Sequence, residues 1–206
     1  MEEATSTYQA ALTADAARYL LDRGIGREEA VTHRLGVVGD DAFPGHEKYR
    51  GMLAIPYLGR DGSPLTIRFR CLEEHDHRSL GHGKYATIKD DLPRMYGVDS
   101  VHAAGSELDV TEGEFDRMIL RKIGFHAVAI PGAALWLPRH RRMLAGFNTV
   151  RVWGDPDDAG AEFTNKICRS LRSAKAVRLR VGDVTETYMQ GGAKALLDLR
   201  NEESVK

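Results

Sequence analysis

Apolar and polar positions follow two different rhythms along this chain. In the first half, helix-like and hairpin-like stretches are mixed with polar segments. From about residue 106, short apolar runs and amphipathic runs succeed one another regularly. In TADAARYLLDR, residues 13–23, Ala16, Ala17, Leu20 and Leu21 recur at helical spacing, with Thr13 as N-cap and Gly24 as the stop. Arg27 to Leu35 reads as a second short helix. The run MLAIPYLGRDGSPLTIRFRCL is two β-rich segments about Asp61-Gly62, a hairpin signal. Residues 73–94 are polar and rich in His, Gly and Lys, and read as a long functional loop.

The second half reads ELDVTEG (strand), EFDRMILRKIG (helix, stopped by Gly124), HAVAIPGA (strand) and PRHRRMLAG (helix, closed by Gly146). TVRVWGD (strand), AGAEFTNKICRSLRS (helix) and AVRLRVGD (strand) follow. Strand and helix alternating over short connections predict a parallel sheet with crossover helices. The expected fold class is α/β. A mixed α+β front part, residues 1–104, precedes a part spanning 105–206 with a central, mainly parallel sheet flanked by helices. Ligands of such sheets bind beyond the carboxyl ends of the strands.

Those ends carry acids. The first strand of the second half runs into Glu112, the third into Asp155 and Asp157, and the fourth into Asp183 with Glu186 beyond. If the first and third strands are neighbours, Glu112, Asp155 and Asp157 converge. Two such charges about 4 Å apart, at an effective dielectric near 20, repel by on the order of 4 kcal/mol. A proton, an arginine or a metal must offset that. Carboxylate oxygens suit Mg²⁺ or Mn²⁺, and two ions about 4 Å apart can clamp the attacking and leaving oxygens of phosphoryl transfer. The plainer reading, in which Asp157 and Asp158 open a helix at Ala159, explains one strand end and leaves the other two unexplained.

Charge and cysteine usage narrow the picture. The formal net charge is −1, so any nucleic-acid contact must rest on local patches. Arg139, Arg141 and Arg142 form one such patch. The acid-free stretch from Phe163 to Gly182, with Lys166, Arg169, Arg172, Lys175, Arg178 and Arg180, forms another, read either as a phosphate-tracking surface or as solvated helix faces. Cys71 and Cys168 lack a CxxC partner, which argues against a zinc ribbon or a disulfide framework, and both read as small buried side chains. His75, His77 and His82, with Asp76, contain an H-x-H pair that could take a transition metal, but no further ligand stands at a familiar spacing. That segment reads as a mobile loop able to close over a nucleotide through Lys84. Trp153 belongs to a buried strand, whereas Trp136 is more open to stacking. Asp116 is placed either to support the acidic site or to orient Arg117 or Arg121. There is no secretory signal and no membrane-spanning run, so the expectation is a cytoplasmic protein without a membrane partner.

TEGEFDRMIL, AVAIPGA and VWGDPDDAG together resemble the Toprim domain of topoisomerases and primases. Glu112, Gly113 and Asp116 match its E-G-x-x-D block, and Asp155, Asp157, Ala159 and Gly160 its later D-x-D-x-A-G. GDVTETYMQGG is similar to the segment that closes the domain in phage helicase–primases, which brings Asp183 and Glu186 to the metal site. Upstream, AARYLLDRGIGREEAVTHRLGVV, the hairpin, GKYATI and MYGV resemble the catalytic core of DnaG-type primases, so the likeness runs over about residues 10 to 193. The resemblance implies synthesis of short RNA primers from ribonucleoside triphosphates on a single-stranded DNA template during DNA replication. It implies catalysis by Glu112, Asp155 and Asp157, which with Asp183 would hold two or more Mg²⁺ or Mn²⁺ ions, supported by Asp116, Asp183 and Glu186. Arg70, Lys84 and Tyr85, with Arg68 beside them, would line the template and nucleotide groove, joined by Arg139, Arg141 and Arg142. No cysteine pair for the family's zinc-binding domain is present, and no helicase domain follows. The expectation is therefore a core without zinc, working with a zinc-binding module supplied in trans and a replicative helicase. Its rivals are a Toprim nuclease and a non-catalytic accessory that binds single-stranded DNA or a helicase.

Overall fold

Thr13 accepts a hydrogen bond from the Ala16 amide and opens helix α2 (Ala14–Leu21) in the computed structural model, which describes residues 1–77 and 79–202. Ala16 and Leu20, one turn apart, are buried, but Ala17 and Leu21 are exposed, Leu21 by 62%. The apolar stripe expected to bury four residues buries the single i, i+4 row. Helix α1 (Glu2–Ala10), unmarked by strong periodicity, precedes it, and α3 (Arg27–Thr32) follows Gly24.

The chain divides into two compact units, Met1–Leu92 and Pro93–Lys206. The first holds an antiparallel sheet of β1 (Gly36–Val37), β2 (Leu53–Leu58), β3 (Pro64–Arg70) and β4 (Tyr85–Thr87), in that order. The predicted hairpin is β2–β3, closed at Asp61, whose carboxylate accepts from the Ser63 amide and hydroxyl. The polar stretch 73–94 is interrupted by β4, which pairs with β3 from Arg70↔Tyr85 to Arg68↔Thr87. Tyr49 stacks on Phe69, with ring centroids 3.9 Å apart and planes at 14°. His46 meets the same phenylalanine edge-on and accepts from the Tyr8 hydroxyl, which itself accepts from the Phe43 amide. Burial holds the His46 imidazole below its usual range, in keeping with a neutral ring that accepts at Nδ1.

The second unit is built around β5 (Glu107–Thr111), β6 (Ala127–Ala129), β7 (Thr149–Gly154) and β8 (Ala174–Arg178), all parallel, in the order β6-β5-β7-β8. Helices α5 (Glu114–Lys122), α6 (Pro138–Leu144) and α7 (Asp158–Ser170) connect successive strands. Val110, Val128, Val150, Val152, Phe163 and Ile167 form its core, the near-continuous apolar strands expected when helices cover a parallel sheet. Helix α8 (Val184–Glu202), kinked at Gly192, closes the unit. Among the described residues no helix is long and apolar enough to cross a membrane.

Residues 93–104, read from sequence on the front side of the boundary, belong to the second unit by contact. Tyr96 bridges to Ala129, Met95 enters the core, and α4 (Asp99–Ala103) lies against β6. Arg117 fastens them: its buried guanidinium donates to the Asp99 carboxylate (2.7 Å), the Ser100 hydroxyl (3.1 Å) and the Ala127 carbonyl (3.0 Å).

Phe69 sits at the centre of the first unit's aromatic cluster and is fully buried. Phe69→Ala should cost about 3–5 kcal/mol, read as a lowered urea midpoint, because the stacked Tyr49 cannot close the cavity.

Candidate functional site

Register decides which acids meet. β5 and β7 are neighbours, aligned up to Thr111↔Trp153. One residue beyond that pair stands Glu112 on one strand, and two beyond it Asp155 on the other. Asp155 is half-buried, Asp157 is exposed and opens α7, and Asp183 stands just before α8.

The electrostatics follow from this crowding. Burial, then the charges of Asp155 and Asp157, push the Glu112 carboxyl up to about 7. Burial, then Asp183 and Asp157, push Asp155 up to about 6. Asp116 is buried, and that burial together with the Asp183 charge raises its carboxyl well above the usual range. Two hydrogen bonds from Thr185, amide (3.0 Å) and hydroxyl (2.8 Å), work the other way. Among the described residues, no arginine or lysine pairs with Glu112, Asp155 or Asp157.

The opposite end of the same strands is a useful contrast. There Glu107 and the fully buried Asp109 meet Arg151 and Arg200, with Arg151 2.9 Å from Glu107 and Arg200 3.2 Å from each acid. Trp153 completes that group by donating to Asp109 at 2.8 Å, so its indole is a core element with a polar anchor. Sequence reading did not single out Asp109, Arg151 or Arg200, because acid and base lie more than forty positions apart on different elements. Among the described residues, Glu112, Asp155 and Asp157 at the carboxyl edge have no such basic partners. Their raised affinity for protons marks a place where positive charge is wanted, and oxygen donors of this kind fit Mg²⁺ or Mn²⁺.

Local structure explains the motif glycines. A Cβ at Gly160 would lie 2.2 Å from the Asp155 carbonyl oxygen, so the turn from β7 into α7 closes only around glycine. A Cβ at Gly113 would lie 2.5 Å from an oxygen of Asp116. Asp157 also serves the plainer purpose, accepting from the Gly160 amide at 2.7 Å as N-cap of α7. Asp183 accepts from the Glu186 amide at 2.7 Å, and the exposed Glu186 accepts from Gln190. Asp116 orients neither Arg117 nor Arg121 through any such bond. Its partner is Thr185, two residues after Asp183 in the sequence.

The basic candidates are distributed differently. In the first unit, Arg70 is buried, donating to the Tyr19 hydroxyl at 2.7 Å and to the Tyr85 hydroxyl. Arg68 lies over the Tyr85 ring, 4.3 Å from its centroid, and Lys84 is exposed. In the second unit, Arg139 donates to the Pro93 carbonyl and Arg141 to the Ser170 carbonyl (2.6 Å), while Arg142 is exposed. Lys166 is bonded to the Ala133 carbonyl, and Trp136 is buried with its indole donating to Ser170. The openness expected of Trp136 is lost because its ring packs into the core with its indole bonded to Ser170 at the end of α7.

The fold is that of known proteins. The crystal structure of Aquifex aeolicus primase, comprising zinc-binding and RNA polymerase domains, superposes with a TM-score of 0.81 at 19% identity, over 97% of this chain and 59% of that one. A DnaG primase catalytic domain bound to single-stranded DNA superposes with a TM-score of 0.76 at 19% identity, over 98% and 77%. The chain thus spans less than two thirds of the Aquifex chain, and it has the fold of the DnaG-type primase catalytic core. It belongs to the family of the Gene 57 protein of Mycobacterium phage D29, to which it is 33% identical over 155 residues, 73% of this chain and 98% of the phage protein. No family model matches the sequence.

The raised carboxyls have a consequence for stability. The folded chain binds protons that the unfolded chain, with ordinary carboxyls, has already released. Their contribution is therefore present below the ordinary carboxylate range and lost as pH rises through about 6 to 7. In chelator, the melting temperature should fall from pH 5 to pH 8, by about 2–4 °C for each kcal/mol. Asp155→Asn should melt above wild type at the alkaline end, and a variant that melts lower there contradicts the repulsion.

Proposed function

We propose that this chain is a metal-dependent primase core that makes short RNA primers on single-stranded DNA. One observation carries the reading: a primase-core fold whose parallel sheet ends in carboxyls whose proton affinity is raised by burial and by their mutual charge, and with which no arginine or lysine pairs among the described residues. Glu112, Asp155, Asp157 and Asp183 would hold the divalent cations. Such ions, when bound, supply positive charge to the oxygens that become more negative as a phosphodiester bond forms.

The protein's own residues would do the rest. Glu112 and Asp155 would serve the cations as carboxylates, so any proton they hold would pass to solvent on binding. Asp116, which accepts two hydrogen bonds from Thr185, would hold the segment that carries Asp183 and so act as a positioning residue. Thr185 thereby couples the start of α8 to α5. On the first unit, the exposed Lys84 and half-exposed Arg68 are suited to phosphate contact. Arg70 is suited to a different task from the one its charge first suggests. Its guanidinium is engaged by two tyrosine hydroxyls, so it would set the Tyr85 ring, leaving that ring and Arg68 as the surface a nucleotide meets. Arg142 would add to a phosphate-tracking patch on the second unit. A replicative helicase and a zinc-binding module acting in trans would complete the system.

The test uses labelled single-stranded DNA, all four ribonucleotides, and Mg²⁺ or Mn²⁺. New short RNA is expected, whereas shortened DNA without new RNA would identify a nuclease and overturn the proposal. Asp155→Asn should reduce synthesis by about 10²-fold or more. Lys84→Ala should raise KM for ribonucleotide by about 10-fold with a smaller change in kcat, the loss of one charge-assisted contact.

A further inference from the structure

The loop between β3 and β4 contains a second and chemically distinct cluster. Cys71, His75, His77 and His82 offer one ligand atom each, and these four atoms all lie within 4.8 Å of one another. Among the described residues this is the one group of three or more such side chains gathered so closely. The His75 and His82 Nε2 atoms are 3.1 Å apart, and the Cys71 sulfur is 3.8 Å from His75 Nε2. A tetrahedral zinc with ordinary bond lengths separates its ligands by roughly 3.3 Å for nitrogen–nitrogen and roughly 3.6 Å for sulfur–nitrogen.

Two of the outer nitrogens also have partners. His75 Nδ1 lies 3.3 Å from the Glu73 carboxylate, and His82 Nδ1 lies 3.1 Å from the Gly83 carbonyl. Each acceptor favours the proton on Nδ1. Both Nε2 atoms then present lone pairs to each other, with sulfur alongside, an arrangement that repels unless a cation sits between them. A histidine whose far nitrogen is held by a carboxylate or carbonyl is the usual geometry of a metal-binding imidazole. The loop is closed around the cluster by backbone bonds, Cys71 amide to Lys84 carbonyl (2.9 Å) and His82 amide to His77 carbonyl (3.0 Å).

We propose that Cys71, His75, His77 and His82 bind one zinc ion in a closed, four-ligand site that staples the β3–β4 loop. One thiolate and three imidazoles are borderline-soft donors, suited to zinc rather than to magnesium. Binding displaces the Cys71 thiol proton to solvent and forms a sulfur–zinc bond, with no change of oxidation state. Arg70 directly precedes the first ligand, and Lys84 and Tyr85 closely follow the last, so the ion fixes the strand ends that carry them. The spacing, C-x3-H-x-H-x4-H, is not a familiar zinc pattern, so the sequence alone shows only the H-x-H pair and zinc is not expected from it. Cys71 is half-exposed at the end of β3, not a buried core side chain, and its partners arrive only when the loop folds back. The inference does not depend on the primase reading.

The test is metal analysis of the purified, reduced chain, stripped and then given Zn²⁺ or Co²⁺ as the probe. One zinc per chain is expected to survive dialysis. The cobalt form is expected to show an intense near-ultraviolet thiolate-to-metal band. That band should persist in Cys168→Ser and in Asp155→Asn, where the carboxylate site is altered, and vanish in Cys71→Ser. His82→Ala should weaken zinc affinity by at least about 10-fold. A wild-type chain that retains no zinc and shows no thiolate band would overturn the proposal, and so would a band that survives Cys71→Ser. The spectrum of the wild-type chain decides the matter even if a variant fails to fold.

Discussion

The parallel pairing of β5 with β7 is the constraint from which the rest of the second unit follows. It sets side by side two strand ends that each terminate in a carboxylate, at the edge where a doubly covered sheet has no further helix to hide them. Burial first, and then that convergence, raises both carboxyls above their ordinary range, Glu112 to about 7 and Asp155 to about 6. A fold that needed only stability would have placed an arginine there, as it does at the other end of the same strands with Arg151 and Arg200. Among the described residues the carboxyl edge has no arginine or lysine paired with Glu112, Asp155 or Asp157, which is the setting the proposed cations would fill.

Small residues keep this edge compact. Gly160 lets α7 begin almost on top of Asp155, and Gly113 gives Asp116 the room to reach Thr185. The D-x-D-x-A-G and E-G-x-x-D patterns are therefore packing statements as much as chemical ones. The acids must point together, and the backbone between strand and helix must turn within a space where no Cβ fits.

The first unit uses a different chemistry. Its aromatic core, Tyr49 on Phe69 with His46 and Tyr8 around them, supports a sheet whose outer strand carries Tyr85 beside Arg68 and Arg70. Arginine and tyrosine hold each other there in a fixed geometry, and the neighbouring loop gathers sulfur and imidazole instead of carboxylates. Hard oxygen donors in one unit and softer donors in the other would suit different cations, so under the two proposals each unit would use its ion for a separate purpose.

Much of this was legible from the amino-acid order. The alternation of strand and helix after residue 106, the hairpin at Asp61-Gly62, the Thr13 cap and the acids at three strand ends all rest on local rules of periodicity, turn chemistry and spacing. Contacts between distant positions were not legible, because nothing in a linear pattern encodes them. Arg200 reaching Asp109, Thr185 holding Asp116, Trp136 turning inward onto Ser170, Arg70 buried between two phenols and Cys71 meeting three histidines each join residues from separate elements. Single-turn decisions were lost for the same reason: whether Ala17 and Leu21 are covered depends on what packs against α2, not on α2 itself. The chain's own order determined that this is an α/β protein with acids at its sheet edge. Tertiary structure decided which charges are neutralised and which are left waiting, because only folding sets the distances over which charges act.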